Sequence, residues 1–253
     1  MAGIRHRLLR WLKLSYEYSV LYGGFFLFGI ISLAWSLPAG VIYFLLPRKI
    51  GSRLGRFATM IGFRIFLFAL RSSGIIQLDL SELDKLRDEK NLIIAPNHPS
   101  LLDAVFIVSR LPNVTCIMKA AIWDNIFLGG GARLAGYIRN DSPNNMIRLA
   151  TKAVREGSQI LVFPEGTRTK GNIINPFKGG FAIISKNANA AIQPVFIETN
   201  SPFLSKEWPL LKKPDFPLVY KVRLGKRFKV EDNTKVFINK LETYYQNSLI
   251  KAK

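Results

Sequence analysis

Thirty consecutive residues, Tyr18 to Pro47, contain no Asp, Glu, Lys, Arg or His. As one helix the run would extend ~45 Å, against a bilayer hydrocarbon core of ~30 Å. It is also longer than the ~7–15 apolar residues of a secretory signal. The run therefore predicts membrane contact. Arg5, Arg7, Arg10 and Lys13 precede it, and Arg48, Lys49, Arg53 and Arg56 follow it. A single span would set one of these clusters against the positive-inside bias. A break at Leu37-Pro38-Ala39-Gly40 would instead fold the run into a shallow hairpin with both clusters on one side. Leu54–Leu70 is apolar but carries Arg56 and Arg64, the pattern of an interfacial helix with snorkelling cations. Residues 1–71 are thus expected to form an anchor, either a hairpin or a single span followed by an interfacial helix, and the charge pattern favours the one-sided form.

From residue 72 to 253 the texture changes, and a second unit is expected there. Short apolar runs at Ile75–Leu80, Asn91–Pro96, Val114–Met118, Gln159–Pro164, Ile192–Ile197 and Leu218–Leu224 read as strands. Helical patterns lie between several of them, at Pro99–Arg110, Ala121–Leu134, Asn144–Glu156 and Gly179–Asn187, and a last one covers Thr234–Ile250. Alternation of this kind predicts an α/β fold, a mostly parallel mixed sheet flanked by helices. Functional groups in such sheets gather beyond the carboxyl ends of the strands.

Charge narrows the partners. The chain has 36 Lys and Arg against 17 Asp and Glu, a formal charge of +19. Such an excess draws polyanions, either nucleic acid or an anionic membrane surface. No basic-aromatic nucleic-acid module is present, and nucleic acid leaves the apolar run unexplained. The single cysteine, Cys116, excludes an internal disulfide and reads as a buried strand residue.

Ile93-Ile94-Ala95-Pro96-Asn97-His98-Pro99-Ser100-Leu101-Leu102-Asp103 is the stretch richest in chemistry. With Pro99 as the first helical residue, His98 becomes the N-cap just beyond a strand. Residues five apart on a helix point roughly 140° apart, so His98 meets Asp103 only if it lies outside the helix and folds back. An imidazole held by a carboxylate can take a proton from an attacking hydroxyl near neutral pH. Taken alone, HxxxxD is a loose pattern, equally compatible with a histidine that merely caps a helix. The helix dipole would also disfavour its cation. A second strand runs into Phe163-Pro164-Glu165-Gly166-Thr167-Arg168, where Gly166 permits a tight turn and Thr167 and Arg168 supply donors suited to phosphate. Arg139 follows another short apolar run, and with Arg168 could clamp one phosphate. Lys178 precedes a helix start, and Lys119 is a weaker candidate. Glu165 either orients Arg168 or accepts a substrate hydroxyl.

Together these blocks resemble the glycerolipid acyltransferase family typified by 1-acylglycerol-3-phosphate acyltransferases. Asn97 to Asp103 resembles its NHxSxxD block, Gly136-Tyr137-Ile138-Arg139 its second, Phe163 to Arg168 its FPEGTR block, and Ile192-Gln193-Pro194-Val195 its fourth. The resemblance spans residues 91–197. It implies transfer of a fatty acyl group from acyl-CoA or acyl-carrier-protein to a lysophospholipid hydroxyl, foremost that of 1-acylglycerol-3-phosphate. It also implies His98 and Asp103 as the catalytic pair, with Asn97, Ser100, Arg139, Glu165, Gly166, Thr167, Arg168 and Lys178 toward the substrate. No metal and no cofactor are implied, and the enzyme would sit on the cytoplasmic face of a bacterial inner membrane, with membrane lipids as partners. One departure stands out. Trp123-Asp124-Asn125-Ile126-Phe127-Leu128-Gly129-Gly130-Gly131 lacks the family's Pro-containing segment, which leaves room for a specialised acceptor such as an aryl polyene or ornithine lipid. A non-catalytic lipid-binding protein on the same scaffold is the rival of another class. A hydrolase would need a nucleophile, and no GxSxG elbow is present.

Overall fold

The centre of the fold is set by Leu92–Pro96, five apolar residues without a gap. A strand apolar at every position must be covered on both faces. In the computed structural model, which describes residues 2–171, 173–230 and 233–250, this segment is β2, and all five residues are buried. Leu92 and Ile94 point into one core, while Ile93 and Ala95 point into the other. This is the period-two alternation of a strand between two helical layers.

Six strands complete a seven-stranded sheet around it: β1 (Ile76–Asp79), β3 (Val114–Lys119), β4 (Ile138–Asn140), β5 (Gln159–Leu161), β6 (Ala191–Thr199) and β7 (Leu218–Leu224) join β2 in the order β1-β7-β6-β2-β5-β3-β4. All neighbours pair in parallel except β6 and β7. The sheet is thus mixed and mostly parallel. One face carries α1 (Ala2–Leu45), α2 (Arg48–Ser72) and α3 (Asp103–Arg110). The other carries α6 (Pro143–Arg155), α7 (Gly180–Ala188) and α8 (Thr234–Ile250). The chain leaves β2 through α3 on the first face and leaves β5 through α7 on the second. Adjacent strands whose connections diverge in this way open a crevice at their carboxyl ends, where ligands of α/β folds bind.

The N-terminal half departs from expectation in one respect. The anticipated break at Pro38 is absent, because Pro38 lies inside the continuous 44-residue α1. The reversal falls at Leu46-Pro47, which joins α1 to α2. A proline just ahead of a helix start costs no intrahelical hydrogen bond, whereas Pro38 removes one. Packing keeps the helix continuous through Pro38: the neighbouring Ala39 and Ser36 are buried. They face α5 (Gly129–Leu134), which follows the four-residue α4 (Ala120–Trp123). This pair of short helices replaces the single helix expected over Ala121–Leu134. The Gly129–Gly131 run has a steric cause. A Cβ on Gly130 would lie 1.9 Å from the Ser36 carbonyl oxygen, and its amide donates to Ser36 Oγ at 2.9 Å. Only glycine lets α5 approach α1 this closely.

The opposite side of α1 is unpacked. Tyr18, Tyr22, Phe26, Ile30, Leu37, Val41 and Phe44 form an exposed apolar stripe, continued on α2 by Ile50, Leu54, Phe57, Ile65 and Phe68. The terminal residues of the two expected units, Met1 and 251–253, lie outside the described residues.

Candidate active site

His98 stands two residues past the end of β2. The α-helix begins later than Pro99: α3 starts at Asp103, and residues 99–102 form a turn. Tertiary bonds hold that turn out of the helix. Ser100 Oγ donates to the Phe203 carbonyl (3.1 Å), and the Leu101 amide donates to the Leu204 carbonyl (3.0 Å). His98 is consequently free of the helix and folds back over it. His98 Nδ1 lies 2.8 Å from Asp103 Oδ2, which also accepts the Ser100 amide at 2.8 Å. The later start reverses the dipole argument as well: it is Asp103, in the first turn of α3, that meets the helix N-terminus, where a carboxylate is favoured.

Asp103 is fully buried, and its Oδ1 has no hydrogen-bond partner among the described residues. Burial pushes its carboxyl up to about 6, against the opposing pull of His98. The His98 side chain keeps 15% of its surface exposed. With Nδ1 engaged by Asp103, the free nitrogen is Nε2.

The turn after β5 cradles the histidine. Glu165 Oε1 accepts the His98 amide (2.9 Å), and the Thr169 amide donates to the His98 carbonyl (2.7 Å). The ring of Phe163 stacks on the imidazole, with centroids 3.7 Å apart and 16° between planes. Glu165 is buried, and its carboxylate also accepts from Thr169 Oγ1 (2.9 Å) and from the Asn175 amide (2.8 Å). Desolvation raises its pKa. The Glu165 carboxylate is thus engaged by the His98 amide, Thr169 and the Asn175 amide rather than by Arg168. Thr169 and Asn175 escaped the sequence reading, and Phe163 entered it only as the first residue of a motif, since only the fold brings them to His98.

Several other residues expected at the substrate also have protein partners. Asn97 spans β2 to β6, donating to the Ile197 carbonyl (3.0 Å) and accepting its amide (2.7 Å). Ser100 is wholly buried. Gly166 adopts φ +68°, the left-handed geometry its turn requires, against the stem of the exposed Lys178. Arg168 donates to the Leu204 and Ser205 carbonyls, each at 2.8 Å. Arg139 sits in β4 with Asp124 Oδ2 at 3.3 Å and Asp141 Oδ2 at 3.0 Å. A clamp made of Arg139 and Arg168 is therefore not preformed, as each guanidinium is already engaged. Thr167 is half-buried beside Arg168. The fourth block, Ile192 to Val195, lies buried in β6 and pairs with β2.

Cations do converge at this edge of the sheet, in a different set. Lys206, missed in the sequence, stands near Lys170, Lys119 and Arg168; desolvation and then their repulsion hold its pKa below the lysine range. A cavity of about 410 Å³ borders the turn, lined by Asn97, Pro99, Thr169, Lys170 and Ser201. Cys116 is buried, its thiol pushed up to about 12, and does not take part.

Residues 77–198 match the Acyltransferase family. A 1-acyl-sn-glycerol-3-phosphate acyltransferase of Limnanthes alba is 31% identical over 179 residues, 66% of this chain and 59% of that one. The human 1-acyl-sn-glycerol-3-phosphate acyltransferase beta is 27% identical over 137 residues, 51% and 49% of the two chains. Residues 77–198 thus carry an Acyltransferase domain. The fold is similar to the crystal structure of the 1-acyl-sn-glycerophosphate (LPA) acyltransferase PlsC from Thermotoga maritima, which superposes with a TM-score of 0.64 at 16% identity, covering 100% of this chain and 98% of that one. The chain spans less than two thirds of the length of the curated relatives it matches first, between 35% and 59%. Within the family match lie His98, Asp103, Arg139 and the whole Glu165–Asn175 cradle; Lys206 lies beyond it.

Proposed function

We propose that this protein is an O-acyltransferase that moves a fatty acyl group from a thioester, acyl-CoA or acyl-carrier-protein, to the hydroxyl of 1-acylglycerol-3-phosphate at a membrane surface. The observation that carries the reading is the 2.8 Å His98 Nδ1–Asp103 Oδ2 contact at the switch point of the sheet, with Nε2 left free. Asp103 fixes the tautomer that leaves Nε2 unprotonated. Nε2 then takes the acceptor's hydroxyl proton as its oxygen attacks the thioester carbonyl. The tetrahedral intermediate collapses by breaking the C–S bond, and the departing thiolate regains the proton from the imidazolium. Ester and free thiol result, so the reaction balances without a metal or cofactor. The relatives' names support lysophosphatidate as acceptor over an aryl polyene or ornithine lipid. Lys119, Lys170 and Lys206, with Lys178 at the rim, are the cations offered to its phosphate.

The exposed stripe on α1 and α2 supports seating on the bilayer from one side. The inner face of α1 is occupied by α5 and α2, so the helix presents one side only, as interfacial helices do. We assign the membrane to the bacterial inner membrane, with the α/β unit on its cytoplasmic face, where thioester donors are made.

The test is thioester consumption by the purified chain in vesicles, with mass spectrometry of the lipids formed from a mixed acceptor pool. Phosphatidate formation that disappears in His98→Ala supports the reading. Undiminished turnover in His98→Ala ends it, and binding of lysolipid without any turnover in the native chain leaves the lipid-binding rival standing.

A further inference from the structure

Between β6 and β7 runs a strap with no regular structure, and within it Leu210 and Leu211 are 58% and 66% exposed. Adjacent leucines on a floppy loop would mean little, but these are held in place. The Leu211 carbonyl accepts Tyr22 Oη of α1 at 3.3 Å, and Lys213 Nζ meets Glu17 of α1 at 2.7 Å, both side chains largely buried. Trp208 Nε1 donates to the Lys212 carbonyl (3.0 Å), with the Lys212 ammonium 4.9 Å from the indole centroid. Phe203 packs between Trp208 and Phe25 of α1. The protein thus spends hydrogen bonds and a buried ion pair to present two leucines to solvent.

We propose that residues 206–213 are a second membrane seat, lying on an anionic phospholipid bilayer with Leu210 and Leu211 among the acyl chains and Lys206 and Lys212 at the lipid phosphates. Continuity is the first argument. Tyr22 belongs to the exposed stripe Tyr18-Tyr22-Phe26-Ile30, so the strap joins that stripe where the basic N-terminal segment gives way to the uncharged run. Trp208, Tyr18 and Tyr22 gather there, as aromatic residues do at the boundary of a bilayer. Charge is the second. Glu17 neutralises Lys213, while Lys206 and Lys212 remain available, and Lys206 continues into the cluster of Lys170, Lys119 and Arg168. A surface of leucines ringed by lysines and aromatics fits an anionic bilayer better than a protein groove. The inner end of the strap reaches the catalytic turn, since the Leu204 carbonyl accepts both the Leu101 amide and Arg168, so the seat and His98 are joined by a few residues. The inference rests on the membrane contact of α1 but not on acyl transfer.

Its test is the full chain, with Cys116→Ala removing the native thiol, in vesicles carrying spin-labelled acyl chains. An environment-sensitive fluorophore is placed at Leu211→Cys, at Phe26→Cys on the stripe and at Val236→Cys on α8. Quenching at 211 and 26, but not 236, is expected. Removing Lys206 and Lys212 with the pair K206Q/K212Q should weaken quenching at 211 on phosphatidylglycerol-containing vesicles by roughly fivefold per charge, and little on pure phosphatidylcholine. Quenching at 26 with none at 211 overturns the seat while leaving the anchor intact. None at either position overturns both. Equal quenching with and without the two lysines overturns the lipid-phosphate contacts, and burial of 211 by a second copy, seen as a dimer in detergent, overturns the proposal as a whole.

Discussion

His98 and the cations around it sit at the same edge of the sheet and are built in opposite ways. Around His98 the groups that hold the ring are matched, with Nε2 left open: backbone amide to Glu165, backbone carbonyl to Thr169, Nδ1 to Asp103, ring face to Phe163. Around Lys119, Lys170, Lys178 and Lys206 the side chains are exposed or half-exposed. The difference follows from what each half must do. Proton transfer needs a fixed geometry from the start, whereas a lipid phosphate brings its own charge and organises flexible lysines on arrival. The two halves should therefore break differently, the first in kcat and the second in KM.

The largest effect belongs to the base itself. His98→Ala should lower kcat for acyl transfer by roughly 10²- to 10⁴-fold with the fold intact, measured as thioester consumption beside a thermal melt. A loss confined to KM would place His98 in the binding half and dissolve the contrast.

Asp103→Asn should come next, and it separates activity from stability. The amide can hold the wrong tautomer of His98, so activity should fall by up to ~10⁴-fold, the scale known for the serine-hydrolase triad. Stability should move the other way. Burial raises the Asp103 pKa from 3.8 to about 6, so the fold prefers the protonated acid. Its contribution is fully present below pH 4 and is lost as pH climbs through about 6; at pH 7 the ionised carboxylate costs roughly 3 kcal/mol, with the opposing pull of His98 already counted. Denaturant melts from pH 4 to 8 should show that slope in the native chain and lose it in Asp103→Asn. A variant that is less stable at pH 7 would mean that the contact with His98 outweighs the burial.

Glu165→Gln tests whether the cradle belongs to the chemistry. The substitution keeps the shape but weakens charge-assisted bonds to the His98 amide, Thr169 and the Asn175 amide, each bond being worth about 1.5–3 kcal/mol. We expect a lower melting temperature together with a kcat loss of about tenfold and an unchanged acceptor KM. A rise in KM alone would return Glu165 to the role of a substrate ligand.

What could be read from sequence follows the same division. His98 and Asp103 lie five residues apart, so a local argument sufficed to require that they touch, and β2 and its neighbours announced themselves by apolar runs. The cradle was legible only as a motif: nothing in Glu165 tells a ligand from a strut until Thr169, Asn175 and the His98 amide close round it. Arg139 looked free because its partner Asp124 comes from a different element, fifteen residues earlier. Pro38 and Pro47 carry the same local signal, and only the packing of Ser36 and Ala39 on α5 decides which one turns the chain. The strap has no periodicity at all, which is why Lys206 went unseen.

The smallest effects should come from the rim, and comparing two of them is the sharpest use of the contrast. Arg139 already faces Asp124 and Asp141, so recruiting it to a phosphate means giving up two ion pairs that are themselves partly exposed and individually weak. Lys206 faces mainly like charge, from Lys170, Lys119 and Arg168 against the single opposing Glu207, and a phosphate there relieves repulsion. Lys206→Gln should accordingly raise the acceptor KM by several-fold with kcat unchanged, and Arg139→Gln should raise it less, by an amount that grows when Asp124 is also replaced by Asn. Steady-state kinetics with lysophosphatidate, run at two salt concentrations, measures both. If Arg139→Gln has the larger effect, the two carboxylates are positioning its guanidinium for the phosphate rather than occupying it, and the binding half is as preorganised as the catalytic one.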